Sequence, residues 1–253
     1  MREVGRVTGI GRYPVKSMQG EQIDRAEVGP AGIDGDRKWA VRDRRTGEVL
    51  SAKREPRLLM AAARIADGDV QVDLPGQGTW RGQDPQLSGL LSDWLGRDVA
   101  LERAGPATEG MYKFQLDGDE AAEVLDLPVM DGTFFDLAAV HLLTTASLRA
   151  AAKLDPAVQW DVRRFRPTFL LDVDGEGFVE DSWTERVVVG GVTCAVIKPT
   201  MRCAMPMREQ PGLVAAPDLM PALKGGHNSL LGLYLEVTQS GQVALGDTVQ
   251  VET

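Results

Sequence analysis

The chain is poor in the residues that staple a protein together, gather metals in clusters or anchor it in lipid. Its 253 residues include two cysteines and two histidines. Two thiols cannot build a disulfide framework, and Cys194 and Cys203 could pair only if their Cα atoms came within about 7 Å. The expectation is therefore two free thiols and a reducing, cytoplasmic setting. There is no CxxC or HExxH spacing and no Walker or dinucleotide fingerprint, so nucleotide-dependent chemistry has no motif behind it. No apolar run approaches the ~20 residues of a membrane span, and the opening MREVGRVTGIGRYPVK lacks the apolar centre of a signal peptide. Positive charge is scarce as well: 28 Lys and Arg face 37 Asp and Glu, a formal net charge of −9. That is the wrong sign for general binding to a nucleic-acid backbone. An anionic ligand would have to be held by a local cation cluster working against the field of the whole protein.

What is present reads as a mainly β protein with a few helices. Val4–Ile10, Ile23–Val28, Lys38–Arg42, Val49–Ala52, Leu58–Ile65 and Val70–Leu74 are short strand candidates punctuated by glycine, a pattern of curled sheets and barrels. The second and third turns of that pattern fall at Gly29-Pro30-Ala31-Gly32 and at a hairpin loop around Thr46-Gly47. Leu87, Leu90, Leu91, Trp94 and Leu95 recur at helical spacing before Gly96, which predicts a helix over 87–95. Asp117–Gly132 is acidic and mixed, and it reads as a surface loop. Thr145–Leu154 is a second helix with Thr144 or Thr145 as its cap. Strands resume at Phe169–Val173, Glu185–Val189, Val192–Lys198, Leu233–Val237 and Thr248–Val251, with a short helix within Pro211–Lys224. The domain reading is a β-rich N-terminal unit over 1–75, a connecting helical and loop region over 76–135, and a C-terminal domain over 136–253.

Four short segments carry more polar and cationic residues than tight turns need. Tyr13–Gly20 puts Lys16 beside Ser17, between a proline and a glycine, where an ammonium, a hydroxyl and backbone N–H groups could converge on one anion. Gly32–Trp39 delivers Arg37, a side chain suited to bidentate recognition of phosphate or carboxylate, although an ion pair with Asp34 or Asp36 would explain it equally. Arg163, Arg164 and Arg166 precede an apolar strand, a cluster that suits a negative partner at the strand start, although a solvated strand end paired with nearby carboxylates would explain it equally. Arg202-Cys203 sets a thiol beside a fixed positive charge, an arrangement that favours the thiolate, the form that binds soft metals and attacks electrophiles. Cys194, inside an apolar strand, reads as a packing residue. His141 lies in the apolar run Ala138–Leu143 and reads as a core histidine bonded to backbone; His227, in Gly225–Ser229, reads as a loop residue within reach of a cleft.

Taken together and in order, YPVKS (13–17), GDRKW (35–39), REPRL (54–58), HLLTTASL (141–148), RFRPTFLLD (164–172), EDSW (180–183), MRC (201–203), GLYLEV (232–237) and GQVALGDTV (241–249) resemble the MOSC family, named for the C-terminal domain of molybdenum cofactor sulfurase. The resemblance is nearest to members with an N-terminal MOSC β-barrel, the amidoxime-reducing proteins of mitochondria among them. It implies a β-barrel-like fold, with 1–75 as the MOSC N-terminal region and 136–253 as the MOSC domain. It implies a cleft for molybdenum cofactor (molybdopterin), in which Lys16, Ser17 and Arg37 hold the phosphate and pterin end. Thr144, Thr145 and Arg166 would add polar contacts, with Arg202 and Tyr234 nearby, and Cys203 would be the catalytic thiolate and metal ligand.

The implied activity is reduction of a small N-hydroxylated or N-oxygenated substrate, with electrons from a partner redox protein. Two alternatives stay open: a sulfur carrier holding a persulfide on Cys203, and a non-catalytic cofactor-binding module. Relatives commonly carry a threonine after the Arg-Cys pair and an aspartate soon after. Here Ala204 follows, and Pro206 and Met207 stand where hydroxyl residues are expected, which predicts a more apolar substrate side. The chain also lacks the membrane anchor of the mitochondrial proteins, as expected of a member that does not bind membranes.

Overall fold

A computed structural model describes residues 1–105, 108, 111–115, 124–128 and 132–252. Its centre is a closed barrel. The strands run Phe169–Val173, Val140–Thr144, Leu230–Gln239, Val192–Met201, Arg186–Val189, Thr248–Glu252 and Arg2–Arg12, and the last pairs back onto Phe169–Val173. Every step is antiparallel except 140–144 against 169–173, which are parallel. Parallel neighbours require a crossover connection, and the helix Thr145–Leu154 with its following turns supplies it. Thr144 is both the last strand residue and the helix cap: its hydroxyl accepts the Ser147 N–H at 3.1 Å.

Alternation fills the barrel. Val187, Val189, Val192, Cys194, Leu233, Leu235, Val249 and Val251 are all buried and point into one core with Val7, Ile10, Leu142, Phe169 and Leu171. Cys194 is fully buried there, with its thiol pushed up to about 12 by burial, as a packing residue should be. The first strand belongs to this barrel, and Arg25–Gly29 pairs with Gly241–Ala244, so both ends of the chain build the same unit. A second core lies over residues 15–99, where Val15, Met18, Leu58, Val70, Val72 and Leu74 meet the apolar face of the helix Leu87–Leu95. That helix ends where Gly96 adopts φ 62°, a left-handed cap. The meander Ala62–Ala66, Asp69–Leu74 and Gly78–Arg81 covers it.

Several expectations need correction. Leu58–Ile65 is not one strand: Pro56–Met60 forms a 3₁₀ turn that buries the adjacent Leu58 and Leu59, and the strand begins at Ala62. Pro56 favours that turn because its fixed φ suits a first helical position and its absent N–H costs nothing there. Among the described residues, Val49–Ala52 forms one bridge, Arg42 to Val49, before the chain turns onto the Ser51 carbonyl. The open edge of Trp39–Asp43 is taken instead by Val99–Arg103. Within the stretch read as an acidic loop, Val124–Pro128 is a strand paired antiparallel with Met111–Gln115; residues 117–123 and 129–131 lie outside the described residues. His227 is not on a loop but closes the helix Leu219–His227, stacked on Phe178 at 3.5 Å and paired with Asp181 at 2.7 Å.

Candidate cofactor pocket

The segment Tyr13–Met18 is zipped to the strand that starts at Trp39. Lys16 N–H donates to the Trp39 carbonyl at 2.8 Å, Trp39 N–H to Pro14 at 3.0 Å, and Arg37 N–H to Tyr13 at 2.9 Å. Asp36, fully buried, accepts the Tyr13 N–H at 2.7 Å and forms an ion pair with the Arg37 guanidinium. The sequence offered a surface pair as the plain explanation of Arg37. The pair exists, but it is buried against a pocket wall. Burial pushes the Asp36 carboxyl up, against the pull of Arg37.

Tyr13 is the platform of the site. The Arg166 guanidinium lies 4.2 Å from its ring centroid and that of Arg37 4.7 Å, so two cations pack on one aromatic ring. Arg166 also donates to the Met18 carbonyl, and its own carbonyl accepts from Arg37 at 3.3 Å. Burial lowers Arg166 to about 10, with Arg37 repelling it, so it remains a cation at neutral pH. Lys16 donates to the Phe134 carbonyl at 2.7 Å and to Asp136, which Lys53 also contacts at 3.1 Å. Burial alone would raise Asp136, yet the two ammonium groups hold its carboxyl well below the usual carboxylate range. Ser17 accepts the Ala52 N–H at 2.9 Å and keeps its own proton to donate.

The third wall comes from the barrel. Arg202 is buried, donating to the Phe165 carbonyl at 2.9 Å and facing His141 Nε2 at 3.2 Å; among the described residues its Nε has no hydrogen-bond partner. Cys203, partly exposed, and Tyr234, on the neighbouring strand, complete that side. Lys16, Ser17, Arg37, Arg166, Arg202, Cys203 and Tyr234 thus line one cleft, open at its mouth to solvent. Three of them, Ser17 (φ 68°), Arg37 (47°) and Arg166 (53°), hold left-handed backbone that is rare outside glycine. Strain of this kind costs on the order of 1–3 kcal/mol per residue and gathers at binding sites.

Thr144 and Thr145 stand apart from the cleft. Thr144 is fully buried and donates to Glu180 at 2.7 Å, while the Thr145 hydroxyl bonds Asp172 at 2.8 Å on an exposed face. Their strand runs into the crossover helix, and that turn points them away from the pocket. Pro206 and Met207 also miss it: Pro206 is buried and Met207 packs under the helix 219–227. Met201 and Met205, with Phe134, Phe135, Leu137 and Phe165, are among the apolar side chains that line the cleft, so its apolar lining comes from residues other than those expected. Of the arginine run, Arg163 pairs with Asp161 and only Arg166 reaches the cleft. Arg164 is fully buried and donates to the carbonyls of Gln159, Pro206, Arg208 and Val214 at 2.7–3.3 Å. It pins the loop that follows Cys203.

Sequence reasoning missed Tyr13, Asp136 and the pocket side of His141. Tyr13 lies inside a motif already singled out, but its contacts with Arg37 and Arg166 are made only by the fold. Asp136 follows an irregular stretch and had no such signal.

Two family models match the chain, the MOSC N-terminal beta barrel domain over residues 4–88 and the MOSC domain over 130–250. The chain belongs to the MOSC family. Mitochondrial amidoxime reducing component 2 of Rattus norvegicus is 24% identical over 291 residues, which span 98% of this chain and 84% of that protein. Mitochondrial amidoxime-reducing component 1 of Homo sapiens is 22% identical over 98% of this chain and 83% of its own length. Among solved structures, the YUAD protein of Bacillus subtilis is similar over 98% of this MOSC chain and 96% of its own, at 11% identity and a TM-score of 0.49. Among the described residues, no helix is long and apolar enough to cross a membrane.

Proposed function

We propose that this MOSC protein is a molybdenum-cofactor reductase of N-hydroxylated or N-oxygenated compounds. The observation that carries the reading is the convergence of Cys203 with Lys16, Ser17, Arg37, Arg166 and Arg202 on one cleft. The donor set fits the cofactor. Cations on a cleft wall suit a phosphate, the unpartnered buried Nε–H of Arg202 awaits an acceptor, and a lone soft thiol suits a metal whose other ligands come from a dithiolene. Among the described residues no three His, Cys, Asp or Glu side chains gather, so a metal here would draw on Cys203 as a single protein donor.

When bound, the cofactor supplies the two-electron change that breaks the N–O bond, N-hydroxyamidine plus two electrons and two protons giving amidine and water. The chain's own residues bind and orient. Lys16, Arg37 and Arg166 neutralise the phosphate, Ser17 donates its hydroxyl, and Asp36 and Asp136 fix the cations in place. Tyr234 and the thioethers of Met201 and Met205 border the space left for substrate. Electrons would come from a partner redox protein, and two free thiols suit a cytoplasmic setting. Thr144 and Thr145 have no part in this assignment.

The partial exposure of Cys203 also favours a second reading, a persulfide carrier. Protein made in cells competent for the cofactor should contain molybdenum and yield the fluorescent oxidised pterin. With a chemically reduced viologen it should convert a benzamidoxime to the amidine. Cys203→Ala should keep pterin and lose turnover. Pure, folded protein free of molybdenum and pterin would refute the reductase reading, and sulfane sulfur on Cys203 after incubation with a cysteine desulfurase would then favour the carrier.

A further inference from the structure

We propose that His141 is a positioning residue: its ring clamps the Arg202 guanidinium beside Cys203, in a space that Gly232 keeps open. The geometry stands whichever ligand the pocket takes. Arg202 is 7% exposed and is held at three points: its N–H donates to the Ser229 carbonyl at 2.8 Å, Nη2 to the Phe165 carbonyl at 2.9 Å, and Nη1 faces His141 Nε2 at 3.2 Å. A guanidinium can only donate, so His141 Nε2 must be the unprotonated acceptor. The ring is therefore neutral, with its proton on Nδ1. Burial, and then Arg202 and Arg37, push His141 well below the usual histidine range, in keeping with that state. The backbone at Leu231 and Arg166 acts the other way and more weakly.

His141 is itself held at its backbone: its N–H donates to Thr168 Oγ1 at 3.1 Å, and its carbonyl accepts the Thr168 N–H at 2.7 Å. The space beside Nε2 is reserved from the neighbouring strand. Gly232 has φ 84°, and a Cβ there would lie 2.6 Å from His141 Nε2 and 2.5 Å from the Leu142 carbonyl oxygen. The glycine is required twice, for its left-handed backbone and for the room given to the atom that meets Arg202.

The test reads the guanidinium directly. In the full-length protein with ¹⁵N- and ¹³C-labelled arginine, Arg202 should give two resolved Nη resonances by NMR, assigned by their loss in Arg202→Lys. Restricted rotation about the Nε–Cζ bond produces that pair. His141→Gln carries its carboxamide out to the Nε2 position and should keep the pair resolved. His141→Asn reaches only the Nδ1 position and should raise the rotation rate at least tenfold, merging the signals. Gly232→Ala should also merge them by displacing the ring. Thermal melts identify folded variants, and the Gln and Asn variants, equal in polarity, decide the matter if Gly232→Ala does not fold. Equal Arg202 spectra in the Gln and Asn variants would overturn the assignment.

Discussion

Arg164 offers the most demanding test of how the Cys203 loop is held. It is fully buried among carbonyl acceptors, donating to Gln159, Pro206, Arg208 and Val214, and three of those belong to the segment just after Cys203. Burial lowers the basicity of its guanidinium, with Asp161 nearby acting against that. Arg164→Met keeps much of the volume and removes every donor. Four bonds at about 1 kcal/mol each put the gross loss near 4 kcal/mol. Returning a buried cation to water offsets part of this, while the stranded carbonyls add to it. The expected net loss is about 3 kcal/mol, a large share of the ~5–15 kcal/mol typical of a domain. Urea unfolding at neutral pH measures it. Limited proteolysis should then find new cleavage within 204–216, while the opposite side of the barrel stays protected. A loss under about 1 kcal/mol with an unchanged digest would show that other contacts hold the loop, and that Arg164 has been overvalued.

Two further outcomes follow from the same bonds. Thr144→Val removes the cap on Ser147 and one of the hydroxyls on buried Glu180, and should cost roughly 1–2 kcal/mol in urea unfolding without changing cofactor loading; reduced loading at normal stability would return Thr144 to the site. Asp136 is held below the ordinary carboxylate range by Lys16 and Lys53, so its stabilisation is complete above the unfolded pKa of about 4 and is lost as pH falls below it. The stability gap between wild type and Asp136→Asn should thus be widest near pH 6 and shrink below about pH 4; a gap that stays constant down to pH 2.5 would contradict the pairing.

The sequence alone carried much of this protein. Alternating valines and leucines specify strands because a pleated sheet with one buried face has period two. The leucine stripe over 87–95 and the Thr144 cap were legible for equally local reasons. The ordered motifs carried the family, and with it Lys16, Ser17, Arg37, Arg166, Arg202, Cys203 and Tyr234 as one candidate set. What local pattern could not carry was direction. Thr144 and Thr145 sit in a motif as polar as the others, but a strand-to-helix turn aims them at Glu180 and Asp172. Three arginines within four residues look alike on paper, yet one meets solvent and Asp161, one is sunk among carbonyls, and one stacks on Tyr13. Barrel closure makes that division, because it brings residue 13 against residue 166 and residue 141 against residue 202. Residue types and periodicity set which chemistry was available. Only the closed tertiary structure decided which cations face the cleft, since long-range packing assigns each side chain its neighbours and its share of water.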